Sequence, residues 1–146
     1  MQQIVDHVRT FEGVLVLAPE PGGPHPEIAW GDVFFYYAPD GAVPERTQPY
    51  GTIVTKDYPE DRASALDAPA RFRVNIQVGR ERAAQLALGE DPAASDALAP
   101  HPQYDDAGWV SVVNPGSRTA GLVLTLLREA HDAARARAER RDRGGR

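Results

Sequence analysis

The chain has 146 residues, 42% of them hydrophobic and 25% charged, with a net charge of −5 and no cysteine. That length suits one domain able to bury roughly two-thirds of its unfolded surface. The lack of cysteine excludes disulfides, thiol nucleophiles and sulfur-ligated zinc or iron, and no run approaches the ~20 apolar residues of a membrane span.

The N-terminal Met1-Gln2-Gln3-Ile4-Val5-Asp6 lacks the basic and apolar regions of a signal peptide, so a cytoplasmic location is expected. Ile4, Val5, Val8 and Phe11 then fall on one helical stripe, which predicts a short helix with Gly13 just past its end. Val14-Leu15-Val16-Leu17-Ala18 predicts a strand buried on both faces. Four prolines in residues 19–26 predict a loop. Its Gly22-Gly23 pair lacks the GxGxxG or Walker pattern of a phosphate cradle.

Residues 26–37 hold one tryptophan, two phenylalanines and two tyrosines, the densest burial potential in the chain. Read as a strand, they put Asp32, Phe34 and Tyr36 on one face and Val33, Phe35 and Tyr37 on the other. Two aromatic faces predict a central strand covered on both sides. Ala38-Pro39-Asp40-Gly41 is a turn signature. Residues 50–56 are rich in β-branched side chains and predict the next strand, followed by an acidic loop over 57–61. Residues 71–78 alternate most regularly, with Phe72, Val74, Ile76 and Val78 inward and Arg73, Asn75 and Gln77 outward. One wet face indicates an antiparallel sheet.

A short helix is expected over 79–88, a polar loop over 90–102 and a last strand over 109–113. Ser117 is a candidate cap for a long helix whose stripe is Val123, Leu126, Leu127, Ala130 and Ala134 and which should end near Arg140. The expected fold is therefore α+β: a single domain over 1–140, with an antiparallel sheet of about five strands backed by helices and a long C-terminal helix. Residues 141–146 are expected to form a disordered Arg/Gly-rich tail.

From Val33 onward the order of parts resembles the MmcQ/YjbR-like family of small bacterial proteins. The matching pieces are the aromatic strand, Phe72-Arg73-Val74-Asn75-Ile76 before a short helix, Tyr104…Trp109 before a strand, and the closing helix. Nearly the whole chain also resembles an uncharacterised actinobacterial group (domain of unknown function six-one-nine-four). That likeness rests on Glu27-Ile28-Ala29-Trp30-Gly31-Asp32, Thr52-Ile53-Val54-Thr55-Lys56-Asp57-Tyr58-Pro59, Phe72-Arg73-Val74-Asn75 and Gly108-Trp109. The resemblance implies an antiparallel sheet backed by helices and, through the wider family, DNA association. Asp105-Asp106-Ala107-Gly108 stands where that wider family usually carries a basic residue before the tryptophan, which argues against carrying the role over.

Charge bears on the same question. Residues 135–146 carry a net +4 and the remaining 134 residues −9, so nucleic acid would have to use the Arg-rich C-terminus. No membrane contact is expected. The four histidines, at 7, 25, 101 and 131, are too scattered for a metal motif, and no metal or cofactor is expected. His101, between two prolines, is the loop histidine best suited to acid–base work.

The polar face of 71–78 offers Arg73 and Asn75; Thr52 or Thr55 could join them, and His101 and Trp109 flank the last strand. Together they could form an aromatic-lined pocket with an anion-binding arginine, with Lys56 and Tyr36 adding polar contacts. The alternative is that Arg73 and Gln77 are solvated and Asn75 ties down a loop. The expected function is a non-enzymatic binding domain for a small molecule or a protein. A DNA-associated protein is one alternative. A small enzyme pairing His101 with a carboxylate such as Asp57 is another, with no catalytic residue assigned.

Overall fold

The computed structural model describes residues 1–144. The elements are α1 (Gln2–Val8), β1 (Val14–Leu17), β2 (Val33–Tyr37), β3 (Gly51–Val54), β4 (Arg73–Gln77), α2 (Arg80–Gln85), β5 (Leu98–Pro100), β6 (Trp109–Val113) and α3 (Ala120–Gly144), with short 3-10 turns at Glu27–Ala29 and Asp105–Ala107. The strands form one sheet in the order β1-β2-β3-β4-β6-β5, every neighbouring pair antiparallel. This is the expected α+β architecture, with six strands among the described residues.

Helices α1 and α3 cover one face. Ile4, Val5 and Val8 from α1 and Val123, Leu126, Leu127 and Ala130 from α3 pack on Val33, Phe35, Ile53, Val74, Ile76, Val110 and Val112. Each of these Val, Leu, Ile and Phe side chains, fully removed from water, contributes roughly 1.5–3 kcal/mol. Glycine at position 51 allows the closest approach: a Cβ there would lie 2.9 Å from Leu127 Cδ2. Buried His131 locks α3 in place. Its Nε2 donates to the Glu12 carbonyl (2.8 Å), so its Nδ1 accepts from the Tyr50 hydroxyl (3.0 Å).

Several expectations are corrected. The aromatic strand spans only Val33–Tyr37 and lies second from one edge, while β3 and β4 hold the centre. Its helix-facing Phe35 is buried, whereas Phe34 and Tyr36 on the opposite face are half-buried, so one face alone is sealed by helices. Strand β1 is a half-buried edge strand. The polar loop expected over 90–102 contains β5, which is short and ends on Pro100. Proline is tolerated there because an edge strand need not donate every N–H.

The opposite face of β4 is also not wet: Arg73 and Asn75 are each 2% exposed. Exposed Ser117 is not the cap of α3. Asp96, twenty residues upstream of the cap region, accepts from the backbone N–H groups of Gly116, Arg118 and Thr119 and from the Thr119 hydroxyl. Those bonds hold its carboxyl down at about 2. α3 continues through Gly144, so residues 141–144 are helical, and the rest of the expected tail lies outside the described residues.

Candidate ligand-binding site

On the face away from the helices, the register places Thr52 of β3, Asn75 of β4 and Ser111 of β6 side by side. Period-2 alternation therefore turns three short polar side chains into a row across three central strands. Asn75 Nδ2 donates to Thr52 Oγ1 (2.9 Å), and Asn75 Oδ1 accepts from Ser111 Oγ (2.8 Å) and from Arg73 Nε (2.7 Å). Arg73 reaches outward from the row. Its Nη1 donates to Asp61 Oδ1 (3.1 Å) and Ser64 Oγ (2.9 Å), and its Nη2 to Asp61 Oδ2 (2.5 Å). Burial alone would raise the Asp61 carboxyl, but the hydrogen bonds and charge of Arg73 outweigh it and hold it below the usual carboxylate range.

The loop that supplies Asp61 and Ser64 is itself pinned. Asp32, fully buried, accepts from Thr55 N (2.8 Å), Thr55 Oγ1 (2.7 Å) and Lys56 Nζ (2.9 Å) on one oxygen and from the Tyr58 hydroxyl on the other. Lys56 Nζ also donates to the Trp30 carbonyl (2.9 Å). Burial, followed by the bond to Asp32, pushes the Tyr58 phenol up. Two more carboxylates tighten the same loop: Asp57 accepts from Leu66 N and Asp67 from Asp57 N. The runs Trp30-Gly31-Asp32 and Thr55-Lys56-Asp57-Tyr58 therefore meet as one clasp.

His101, 5% exposed, follows β5 and continues its ladder by donating its N–H to the Trp109 carbonyl. Its Nδ1 accepts from the backbone N–H groups of Gln103 and Tyr104, each at 3.1 Å. Burial first, then the charge of Arg73, lower its pKa to about 4 against the opposing pull of Asp61 and Asp105, so the ring is neutral at pH 7. With the Nδ1 lone pair taken twice, the single proton of the neutral ring sits on Nε2. Nε2 lies 3.5 Å from Arg73 Nη2, also a donor, so that contact is a meeting of two N–H groups and not a hydrogen bond.

The ring of His101 stands edge-on to Trp109 (6.2 Å) and tilted against Tyr104 (4.9 Å). Gly108 seats the tryptophan. Its φ is +81°, and a Cβ there would lie 2.5 Å from the Gly79 carbonyl carbon.

Two adjoining cavities open over this row. One, of about 300 Å³, is lined by Thr52, Asn75 and His101 together with Pro49, Tyr104 and Trp109. The other, of about 270 Å³, shares Thr52, Asn75, His101 and Tyr104 and extends to Phe34, Tyr58 and Arg73. Of the side chains singled out from sequence, the structure brings Arg73, Asn75, His101 and Trp109 together. It does not bring in Lys56, which is held by Asp32, or Tyr36, which lies across from Leu15 on β1 with its phenol pKa raised by burial.

Asp57 lines neither cavity and bonds to the backbone of its own loop; the carboxylate facing Arg73 is Asp61. Among the described residues no cluster of three His, Asp or Glu side chains could hold a metal ion.

Ser64, Ser111 and Tyr104 were not singled out for the site. Ser111 carried a readable signal as the lone polar residue in Trp109-Val110-Ser111-Val112-Val113, directly across from Asn75. Ser64 and Tyr104 carried none, because loop geometry brings them in.

No match is found among curated proteins or among solved structures. A family model does match, over residues 1–143, a span that takes in the clasp at Asp32, the polar row and both cavities. The chain belongs to DUF6194, a family of unknown function.

Proposed function

We propose that the protein is a binding domain for a small planar organic molecule held over the polar row. One observation carries this reading: Thr52, Asn75 and His101 form a shared floor under two adjoining cavities whose walls are Trp109, Tyr104, Pro49 and Phe34. Apolar walls with a few convergent polar groups are the common form of a small-ligand site, and a volume near 300 Å³ is the low end of that range, suited to one or two rings. The arginine is not a free anion clamp, because Asp61 already neutralises it. In this reading the floor binds and orients the molecule.

A DNA-associated role is disfavoured by the acidic body and by the partners of the cationic end of α3, where Arg135 pairs with Glu139. Native mass spectrometry of gently purified protein tests the choice. A reproducible adduct that is lost in Trp109→Ala supports the pocket. Retention of a duplex DNA oligomer, falling steeply with salt, would replace this reading.

A further inference from the structure

We infer that the ligand presents an uncharged sp² oxygen, a carbonyl attached to a flat ring, to the floor of the cavity. This rests on the small-molecule reading above and follows from where each proton on the floor goes.

Asn75 Oδ1 receives two donors, so both of its lone pairs are occupied, while Nδ2 uses only one of its two protons, on Thr52. Thr52 Oγ1 accepts that bond, which leaves its own hydroxyl proton to be donated. His101 has its one lone pair, at Nδ1, shared by two backbone N–H groups and keeps its proton at Nε2. Arg73 uses four of its five N–H groups on Asn75, Asp61 and Ser64, and the fifth faces His101 Nε2.

Four protons, on Asn75, Thr52, His101 and Arg73, therefore meet no acceptor among the described residues, and these four side chains line the two cavities. Donors on the floor outnumber acceptors: Asn75 Oδ1 and His101 Nδ1 are engaged, and one lone pair of Thr52 Oγ1 is left against the four protons. Two N–H groups left 3.5 Å apart are brought into a favourable arrangement by one oxygen between them.

Charge selects the type of oxygen. The cation of Arg73 is matched by Asp61, His101 is neutral, and exposed Glu60 stands at the rim. A carboxylate would gain no net positive charge there, so a neutral carbonyl is favoured. Trp109 and Tyr104 supply flat walls for the ring that carries it.

Four probes separate the possibilities in amide-shift titrations: acetophenone, benzoate, toluene and benzylamine. Acetophenone is expected to bind about tenfold tighter than toluene, the effect of one or two satisfied hydrogen bonds, with benzoate weaker than acetophenone and benzylamine weakest. In His101→Asn the asparagine Oδ1 replaces Nδ1 as acceptor for Gln103 and Tyr104, so the turn is kept while the Nε2 proton is lost. The ratio of acetophenone to toluene affinity should then fall from about tenfold toward one, whatever the change in toluene affinity itself.

Equal binding of acetophenone and toluene to the wild-type protein overturns the donor-floor inference and leaves the ligand reading standing. Tighter benzoate overturns the uncharged oxygen. No shift at Thr52, Asn75, His101 or Trp109 with any probe removes both readings. Independently of any variant, the imidazole ¹⁵N shifts must report the Nε2–H tautomer; an Nδ1–H ring overturns the inference outright.

Discussion

Asp32 and Arg73 are both buried ions, and both draw partners from the loop over residues 55–67, yet their surroundings differ in kind. Asp32 has two oxygens and four donors directed at them. Arg73 and the row beside it have protons with no oxygen to receive them. A balanced polar cluster inside a protein fixes backbone geometry, because any change leaves a desolvated group unpaired. A cluster with surplus donors is incomplete until water or a ligand arrives. The first holds the loop down and the second lies beneath it. This division separates a structural clasp from the candidate site without appeal to either residue's charge.

Breaking the balanced cluster should cost the most. Asp32→Ala strands two Thr55 donors, the Tyr58 hydroxyl and Lys56, and we expect a loss of about 3–5 kcal/mol in urea unfolding. Arg73→Met should cost about 3 kcal/mol, toward the lower end of that range, because Asp61 retains 11% exposure and can turn to water. A larger loss at Arg73 than at Asp32 would reverse the comparison.

Next comes pH. His101 titrates near 6.5 when unfolded and near 4 when folded, so the unfolded chain binds more protons between those values. Its contribution is fully present above about pH 6.5 and is lost as pH falls toward 4. His131, also lowered by burial, acts in the same direction, so His101→Asn should flatten the slope of stability against pH without abolishing it. Asp61 and Asp96, both lowered, act in a separate window, beginning below the unfolded value of 3.8. An unchanged slope in His101→Asn would place the burial cost elsewhere.

The smallest effect belongs to Thr52→Val, which removes one hydrogen bond at the cavity floor. Unfolding free energy should fall by about 1 kcal/mol. A loss comparable to Asp32→Ala would mean the row is structural.

The helix-covered half of this fold was legible because periodicity reports burial. The stripe at Val123, Leu126, Leu127 and Ala130 and the alternation at Phe72, Val74 and Ile76 need no knowledge of the rest of the chain. The opposite face misled because alternation reports polarity and not exposure. Arg73 and Asn75 read as outward residues on a wet face, yet both are buried, with Asp61 and Ser64 of a distant loop bonded to Arg73. Arg73, Asn75, His101 and Trp109 could still be collected as residues of one candidate site, since each is a polar or aromatic group on or beside a strand. Lys56 and Tyr36 fell away because their partners depend on distant segments: Asp32 and Trp30 for one, the neighbouring strand for the other. Asp96 was unreadable as a cap for the same reason, being twenty residues from the nearest backbone group it serves.

The strand order carries a kinetic consequence. Strands β1 to β4 follow one another as a meander and can zip up in sequence, but β5 must wait for β6, which comes later in the chain and lies between it and the rest of the sheet. β5 has three residues and one neighbour, so in native-state hydrogen exchange its amides and that of His101 should open at a lower free energy than β3 and β4. The imidazole is thus delivered to the cavity floor late in folding and released early in partial unfolding, and a bound molecule touching it would slow exchange first along that edge.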